Sequence, residues 1–221
     1  AVLNRLEIAA IFVALGIFFD FFDGLAARVL DVKSELGLQL DSLADMITSG
    51  IVPGIVMFQL LAMSQTSGWG DGSHLFLESG EIEFINLLPF LGFVITMASA
   101  YRLAKFNIDE NQTSSFIGLP TPANALLILS LPLILLYQNN DFLNTLILNQ
   151  WFLIILTFVS AYLLNANMPL FALKFKNTSF KDNAMRYIFF ISLVLIVTMK
   201  FMAIPLIILF YVVSSVIQER L

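Results

Sequence analysis

Long apolar stretches alternate with short polar segments along most of this chain. A transmembrane helix needs roughly 20 mostly apolar residues. Five stretches come near that length, so each predicts one membrane span. They run over Ile8–Leu30, Asp41–Met63, Phe84–Phe106, Pro122–Tyr137 and Gln150–Pro169.

The last apolar region, Ala184–Ile217, is too long for a single span. Lys200 lies near its middle and Pro205 follows shortly after. A charge and a helix-breaking residue at this place predict two short helices joined by a tight turn, which gives seven spans in all. One long, bent final helix is the alternative, and it would give six.

Composition supports the membrane assignment. Of the 221 residues, 59% are hydrophobic and 12% are charged, whereas soluble domains are about half apolar and about a quarter charged. We therefore expect an all-α, polytopic transmembrane bundle forming one domain over residues 1–221. The absence of cysteine excludes disulfides, and a net charge of -5 argues against a nucleic-acid partner.

The basic residues predict an orientation, because cytoplasmic loops carry an excess of Lys and Arg. If the Asp-rich segment between the first two spans is cytoplasmic, nine of the eleven basic residues lie on that side and only Arg5 and Lys200 lie outside. The sequence thus predicts an integral protein of the cell membrane whose acidic segment faces the cytoplasm.

Four aspartates in that acidic segment follow helical spacing. Asp20 and Asp23 are three residues apart, and Gly37, Asp41 and Asp45 are each four apart. Such positions share one helical face. Because a short connection favours antiparallel neighbours, the two acidic faces can meet.

Converging carboxylates repel one another unless cations compensate their charge. Ligand sets made only of oxygen select hard cations such as Mg²⁺, Mn²⁺ or Ca²⁺. Two such ions would suit four aspartates and the chemistry of phosphoryl groups. The alternative is that the aspartates are solvated residues at the membrane interface. Gly24, Ala27 and Gly37 on the same faces serve either close helix packing or a flat ligand such as a nucleobase.

The whole pattern resembles the signature of the CDP-alcohol phosphotransferases. It fixes eight positions over 26 residues, and all are satisfied here: Asp20, Asp23, Gly24, Ala27, Arg28, Gly37, Asp41 and Asp45. The resemblance implies a membrane enzyme that transfers a phosphate-bearing group from a CDP-linked donor to an alcohol and releases CMP.

The resemblance also implies roles for these residues. Two divalent ions, Mg²⁺ or Mn²⁺, would be held by the four aspartates, and Asp45 would also act as the catalytic base. The CDP moiety would contact Gly24, Ala27, Arg28 and Gly37. In this family an amphipathic segment and a further helix usually precede the first aspartates, so we expect both upstream, with eight spans in total.

A second motif points to a subfamily. "RLAKFN" at 102–107, followed by "FIGLPTPANA" at 116–125, resembles the bacterial and archaeal phosphatidylserine synthases. These use CDP-diacylglycerol and L-serine. Serine carries a carboxylate and an ammonium, so Arg102, Lys105 and Asn107 are candidates for the acceptor site. Arg102 and Lys105 could instead be positive anchors at the membrane face.

Three functional alternatives remain open at this point. The acceptor could be glycerol 3-phosphate or an inositol phosphate, although a phosphorylated acceptor would call for more basic residues. A cation transporter could use the aspartates as an ion path, but transport sites tend to lie near the bilayer midplane.

The family resemblance also favours a homodimer.

Overall fold

The structure is a computed structural model that describes residues 1–3, 5–30, 32, 34–65, 87–108, 116–170 and 184–219. Nearly all of these residues are helical, which confirms the all-α prediction. The helices are α1 (Leu6–Val29), α2 (Glu35–Asp45), α3 (Val52–Met63), α4 (Phe93–Ile108), α5 (Thr121–Tyr137), α6 (Asp141–Ile147), α7 (Gln150–Asn165), α8 (Ala184–Met199) and α9 (Ala203–Glu219).

Shorter elements connect or precede several of these helices. A π-helical turn, Met46–Ile51, joins α2 to α3, and 3-10 turns lie at Leu88–Gly92 and Lys200–Met202. Two strands of two residues, β1 (Phe116–Ile117) and β2 (Pro169–Leu170), pair antiparallel. They form a clip between segments and do not change the fold class.

The membrane assignment is supported by helix length and apolarity. Within the described residues, Leu6–Ala27, Glu35–Met63 and Ile191–Val216 are long and apolar enough to cross a bilayer. The bent pair α6 and α7, which meet at 62°, would make a fourth span if the two are counted together. The chain is therefore a helical membrane protein.

The predicted count of seven spans is larger than these three or four. The apolar helix Thr121–Tyr137 has only 17 residues, and residues 66–86, where the third span was predicted to begin, lie outside the described part. The count of seven stays a prediction. The 3-10 turn at Lys200–Met202, where Lys200 adopts φ +50, divides the last apolar region into α8 and α9, which contact each other. Ile191–Val216 runs through this turn and is long and apolar enough to count as one span, so the choice between two short spans and one bent span stays a prediction.

Helix α5 forms the centre of the bundle. It packs against α1, α3, α6, α7 and α9, and eleven of its residues are buried. Ile128 and Asn124 on α5 are both fully buried. The central position of α5 gives the bundle a fixed frame around which the acidic helices α1 and α2 are arranged.

Glycines allow α3 to approach α4 and the turn that precedes it very closely. A Cβ atom added at Gly92 would lie 2.5 Å from the backbone nitrogen of Phe58, and one added at Gly54 would collide with Thr96 Oγ1. Small residues commonly permit such close backbone contact between membrane helices. The crossing fixes α4 against α3, which follows the Asp45-bearing helix α2 through the π turn.

Large apolar side chains cover the outer faces of α1, α8 and α9. Phe12 and Phe19 on α1 and Val197 on α8 are all more than half exposed. In water such surfaces would be unusual, whereas in a bilayer they contact lipid. The exposure therefore agrees with the membrane assignment.

A clip of backbone hydrogen bonds ties the start of α5 to the end of α7. The Gly118 amide donates to the Met168 carbonyl at 3.0 Å, and the Leu119 amide donates to the Leu163 carbonyl at 2.8 Å. Gly118 takes φ +73, and a Cβ there would lie 2.6 Å from the Leu164 carbonyl oxygen. Only glycine suits this conformation and this space.

Candidate active site

Three carboxylates meet where α1 approaches α2. Each of Asp20, Asp23 and Asp41 offers one oxygen atom, and the three oxygens lie within 4.8 Å of one another. The predicted meeting of the two acidic faces is therefore confirmed for these residues. Three converging carboxylate oxygens, without nitrogen or sulfur, form a donor set that fits a hard divalent cation.

Asp45 lies one helical turn beyond Asp41, outside the group of three. It is partly buried, and its charge interacts with those of Asp41 and Asp23. Asp20 likewise interacts with both Asp41 and Asp45. All four predicted aspartates thus share one electrostatic site, but only three have oxygens close enough to form a single ligand group.

Arg102 on α4 supplies positive charge to this site. Its charge interacts with that of Asp45, so α4 compensates part of the acidic field. The Arg102 Nε is buried and has no hydrogen-bond partner among the described residues. Leaving such a donor unpaired costs about 1–3 kcal/mol or more, so it is suited to bind an anionic ligand.

One turn before Arg102 lies a second unpaired polar group. Ser99 is fully buried, and its Oγ has no hydrogen-bond partner within the described part of the chain. The same holds for Ser49, one turn after Asp45. The interior beside Asp45 is therefore polar, which neither serine's position in the sequence had indicated.

A cavity of about 780 Å³ opens beside the three carboxylates. Small-molecule sites typically measure about 300–1,000 Å³, so a nucleotide would fit. The cavity lies between α1, α2 and the segment that joins them. It is lined by Asp23, Gly24, Ala27, Val32, Ser34, Glu35, Gly37, Leu38, Leu40, Asp41 and Ala44.

The residues predicted to contact CDP occupy this cavity in different ways. A Cβ added at Gly24 would meet no atom within 4 Å, so Gly24 faces open space. A Cβ at Gly37 would lie 3.0 Å from Ser34 Oγ, so Gly37 also has a local packing role. Ala27 lines the cavity. Arg28 belongs to α1, but its side chain lies outside the described residues.

Ser34 is a cavity residue that the sequence analysis missed. Its side chain accepts a hydrogen bond from the Gly37 amide at 3.0 Å and so caps the N-terminus of α2. A serine directly before an acidic first turn, here Glu35, is a recognisable N-cap signal. The cap fixes where α2 begins and hence where Asp41 lies.

The two other candidates for the acceptor site bind neighbouring side chains. Lys105 Nζ donates to Asn167 Oδ1 at 3.2 Å. Asn107 Oδ1 accepts a bond of 3.0 Å from Ser42 Oγ, and Asn107 Nδ2 lies 3.5 Å from Gln39 Oε1. Asn107 therefore joins the end of α4 to α2, close to the carboxylates.

Fold and site together define an all-helical membrane protein with a carboxylate group suited to divalent cations beside a cavity of nucleotide size. The family model for CDP-alcohol phosphatidyltransferase matches residues 2–163. The chain belongs to this family, which confirms the family resemblance of its sequence.

Curated relatives that share one name are found in bacteria and in an archaeon. Each is called CDP-diacylglycerol–serine O-phosphatidyltransferase. The Bacillus subtilis protein is 31% identical over 123 residues, which cover 54% of this chain and 56% of that protein. The Helicobacter pylori protein is 33% identical over 118 residues, or 52% and 42% of the two chains. The Methanocaldococcus jannaschii protein is 32% identical over 114 residues, or 52% and 45%. The matched segments thus span about half the length of these relatives.

Proposed function

We propose that this protein transfers the phosphatidyl group of CDP-diacylglycerol to the hydroxyl of L-serine, yielding phosphatidylserine and CMP. The observation that carries the proposal is the convergence of Asp20, Asp23 and Asp41 beside a cavity large enough for a nucleotide. The names of the relatives, which are 31–33% identical over about half of this chain, support the donor and the acceptor.

The four aspartates are proposed to hold two divalent ions, Mg²⁺ or Mn²⁺. Such ions, when bound, supply positive charge that neutralises the pyrophosphate and the leaving CMP. Asp20, Asp23 and Asp41 would be the principal ligands. Asp45, which lies one turn away, would be a ligand that also faces the acceptor.

Asp45 is proposed as the general base. Its carboxylate accepts the proton of the serine hydroxyl while the serine oxygen forms a bond to the donor phosphorus. The bond between that phosphorus and the oxygen of CMP breaks, and CMP leaves with the electron pair. Arg102, whose charge already interacts with Asp45, keeps the site compensated before the proton is taken up.

The nucleotide is proposed to lie in the cavity between α1 and α2. Gly24 and Ala27 leave room on the α1 side, and Gly37 does so on the α2 side. Arg28 is proposed to contact the phosphates. The cavity includes Asp23 and Asp41, so a nucleotide bound there would place its phosphates near the carboxylates.

The serine carboxylate is proposed to bind Arg102, because the buried Nε of Arg102 has no hydrogen-bond partner among the described residues. Lys105 and Asn107 would border the same pocket. Both already contact protein side chains, so their contribution would be to shape the pocket rather than to supply the main charge.

The active site is proposed to face the cytoplasm. In support, Arg102 and Lys105 lie at the same end of the bundle as the aspartates, and Arg5 and Lys200 are the only basic residues assigned to the other side. We also propose a homodimer, which the family resemblance favours. Chemical crosslinking in native membranes followed by mass determination tests the dimer.

Transfer to glycerol 3-phosphate or to an inositol phosphate is the remaining alternative within the family. The deciding experiment measures CMP release by the purified full-length protein with CDP-diacylglycerol and Mn²⁺. L-serine, glycerol 3-phosphate, inositol phosphate and no acceptor are compared. Asp45→Asn is assayed beside Asp141→Asn, a control at the exposed first turn of α6.

We expect CMP release that requires serine, that is lost in Asp45→Asn and that persists in Asp141→Asn. Release with another acceptor alone would contradict the proposed substrate while leaving the family intact. Absence of release with every acceptor, in folded protein that binds Mn²⁺, would contradict the proposed reaction and reopen ion transport.

A further inference from the structure

The helix that carries Asp41 and Asp45 changes its hydrogen-bond register directly after Asp45. Residues Met46–Ile51 form a π-helical turn, closed by the Val52 amide donating to the Ile47 carbonyl five residues earlier. A π turn inserts about one extra residue into an α-helix, and such turns often mark functional sites. One residue corresponds to about 100° of helical rotation. The turn therefore decides which way Asp45 points relative to the buried α3.

The sequence supplies a local reason for the turn. Pro53 is the second residue of α3 and is buried. Proline has no amide hydrogen, and its ring crowds the carbonyl four residues earlier, here that of Ser49. An α-helix continued through this place would be strained, and the π turn avoids the conflict.

A neighbouring helix contacts the turn through one hydroxyl group. Thr96 Oγ1 on α4 donates to the Gly50 carbonyl at 3.1 Å. Four other threonines, which are Thr48, Thr145, Thr157 and Thr198, each donate instead to the carbonyl four residues earlier in the same helix. That local bond is the usual use of a helical threonine hydroxyl. The Thr96 hydroxyl instead donates its hydrogen bond to a carbonyl of the π turn.

Two glycines leave the space in which α4 can approach the π turn closely enough for the Thr96 hydrogen bond. A Cβ at Gly54 would collide with Thr96 Oγ1, and a Cβ at Gly50 would lie 3.3 Å from the Ser99 Cβ. Arg102 lies further along α4, where its charge interacts with that of Asp45. Thr96, Ser99 and Arg102 thus follow one another along α4. Thr96 lies beside Gly54 of α3, and the charge of Arg102 interacts with that of Asp45 on α2.

We propose that Thr96 is a positioning residue, which holds the π turn through the Gly50 carbonyl and so fixes the direction of Asp45. Thr96 does not contact the reacting groups and acts only through the backbone. The proposal rests on the proposed role of Asp45 as base. It assigns a role in catalysis to a residue outside both the aspartate signature and the candidate acceptor site.

The test compares Thr96→Val, which keeps the shape and removes the donor, with Thr96→Ser, which keeps the donor. Thr157→Val is the matched control, because Thr157 is buried and its hydroxyl donates to the Leu153 carbonyl within its own helix. Rates are normalised to the folded fraction measured by size-exclusion chromatography in detergent. Hydrogen–deuterium exchange of the amides of residues 46–52 is measured on the same samples and needs no activity.

Thr96→Val is expected to lower kcat about tenfold while the KM for each substrate changes less than about twofold. Exchange should accelerate within residues 46–52 and not in α5. Thr96→Ser and Thr157→Val should match the wild type in both measurements. A Thr96→Ser variant as impaired as Thr96→Val, or unchanged exchange in Thr96→Val, would overturn the proposal.

Pro53→Ala provides an independent variant in case Thr96→Val fails to fold. It introduces a backbone amide that can donate to the Ser49 carbonyl. This bond favours the α-helical register over the π turn. The kcat should therefore again fall without a matching change in KM. Unchanged kcat in a Pro53→Ala variant whose exchange within residues 46–52 has changed would overturn the proposal, because the turn would then not set the direction of Asp45. A different result separates the two proposals. If the wild type made no phosphatidylserine but Thr96→Val still accelerated exchange within residues 46–52, the proposed function would be wrong. The contact by which Thr96 holds the π turn would then still be supported.

Discussion

The charges of Arg102 on α4 and Asp45 on α2 attract each other across the interface between these helices. The pairing is incomplete, since Arg102 Nε is buried without a hydrogen-bond partner among the described residues. An arginine that compensates the proposed base and still has a free donor is suited to bind the carboxylate of an amino-acid acceptor. This relationship connects the acidic site to the proposed acceptor, serine.

Replacing Arg102 should therefore weaken serine binding more than donor binding. A hydrogen bond to a charged group contributes about 1.5–3 kcal/mol, so Arg102→Gln should raise the KM for serine about tenfold or more. Arg102→Lys should be intermediate, because an ammonium lacks the planar fork of donors. Steady-state kinetics with each substrate varied in turn makes the measurement. Arg5→Gln, at the start of α1, is the control, and an unchanged KM for serine in Arg102→Gln would refute the role.

Filling the space beside Gly24 should block the nucleotide without unfolding the helix. Gly24→Leu places a side chain where no atom lies within 4 Å of the added Cβ, and it replaces a poor helix former by a good one. We expect a loss of CDP affinity of at least about tenfold, with thermal stability unchanged or raised. Calorimetric titration with CDP makes the measurement.

Ala26→Leu is the matched control for Gly24→Leu, because Ala26 is exposed on the same helix and does not line the cavity. It should bind CDP as the wild type does. Equal affinities in both variants and the wild type would place the nucleotide elsewhere.

Removing one carboxylate of the group of three should weaken metal binding. Asp23→Asn leaves the shape of the side chain and removes its charge, so Mn²⁺ affinity, measured by electron paramagnetic resonance of the free ion, should fall at least about tenfold. Asp141→Asn should bind Mn²⁺ like the wild type. If Asp23→Asn retained full affinity, the three carboxylates would not be the metal site.

The N-cap of α2 should contribute to both stability and nucleotide binding. Ser34→Ala removes the acceptor for the Gly37 amide, which should cost about 1 kcal/mol of stability. CDP affinity should also fall, since Ser34 lines the cavity. Thermal unfolding in detergent and CDP titration measure the two effects. Ser34→Thr keeps the cap and should behave like the wild type, and if it were as weak as Ser34→Ala, the capping role would be wrong.

The acidic site was predictable because its geometry is mostly local. Helical periodicity alone places Asp20 with Asp23 and Asp41 with Asp45, and a short connection brings the two pairs together. The sequence could not show that Asp45 would lie outside the group of three, because that arrangement depends on how α1 packs beside α2 and not on helical periodicity.

Contacts between distant segments were beyond sequence reasoning for the same reason. Asn107 was expected near the acceptor, yet its oxygen accepts from Ser42, 65 residues earlier. The buried polar atoms of Ser49 and Ser99 likewise depend on how α4 packs. By contrast, the N-cap at Ser34 could have been predicted from the local sequence, because a serine directly precedes the acidic first turn of α2.

The most direct test of the account follows the serine oxygen. The purified full-length protein is supplied with CDP-diacylglycerol, Mn²⁺ and L-serine labelled with ¹⁸O in its hydroxyl, and the lipid and nucleotide products are examined by mass spectrometry. We expect labelled phosphatidylserine and unlabelled CMP from the wild type, and no phosphatidylserine from Asp45→Asn. Unlabelled phosphatidylserine, or labelled product at the wild-type rate from Asp45→Asn, would contradict direct attack by serine with Asp45 as base.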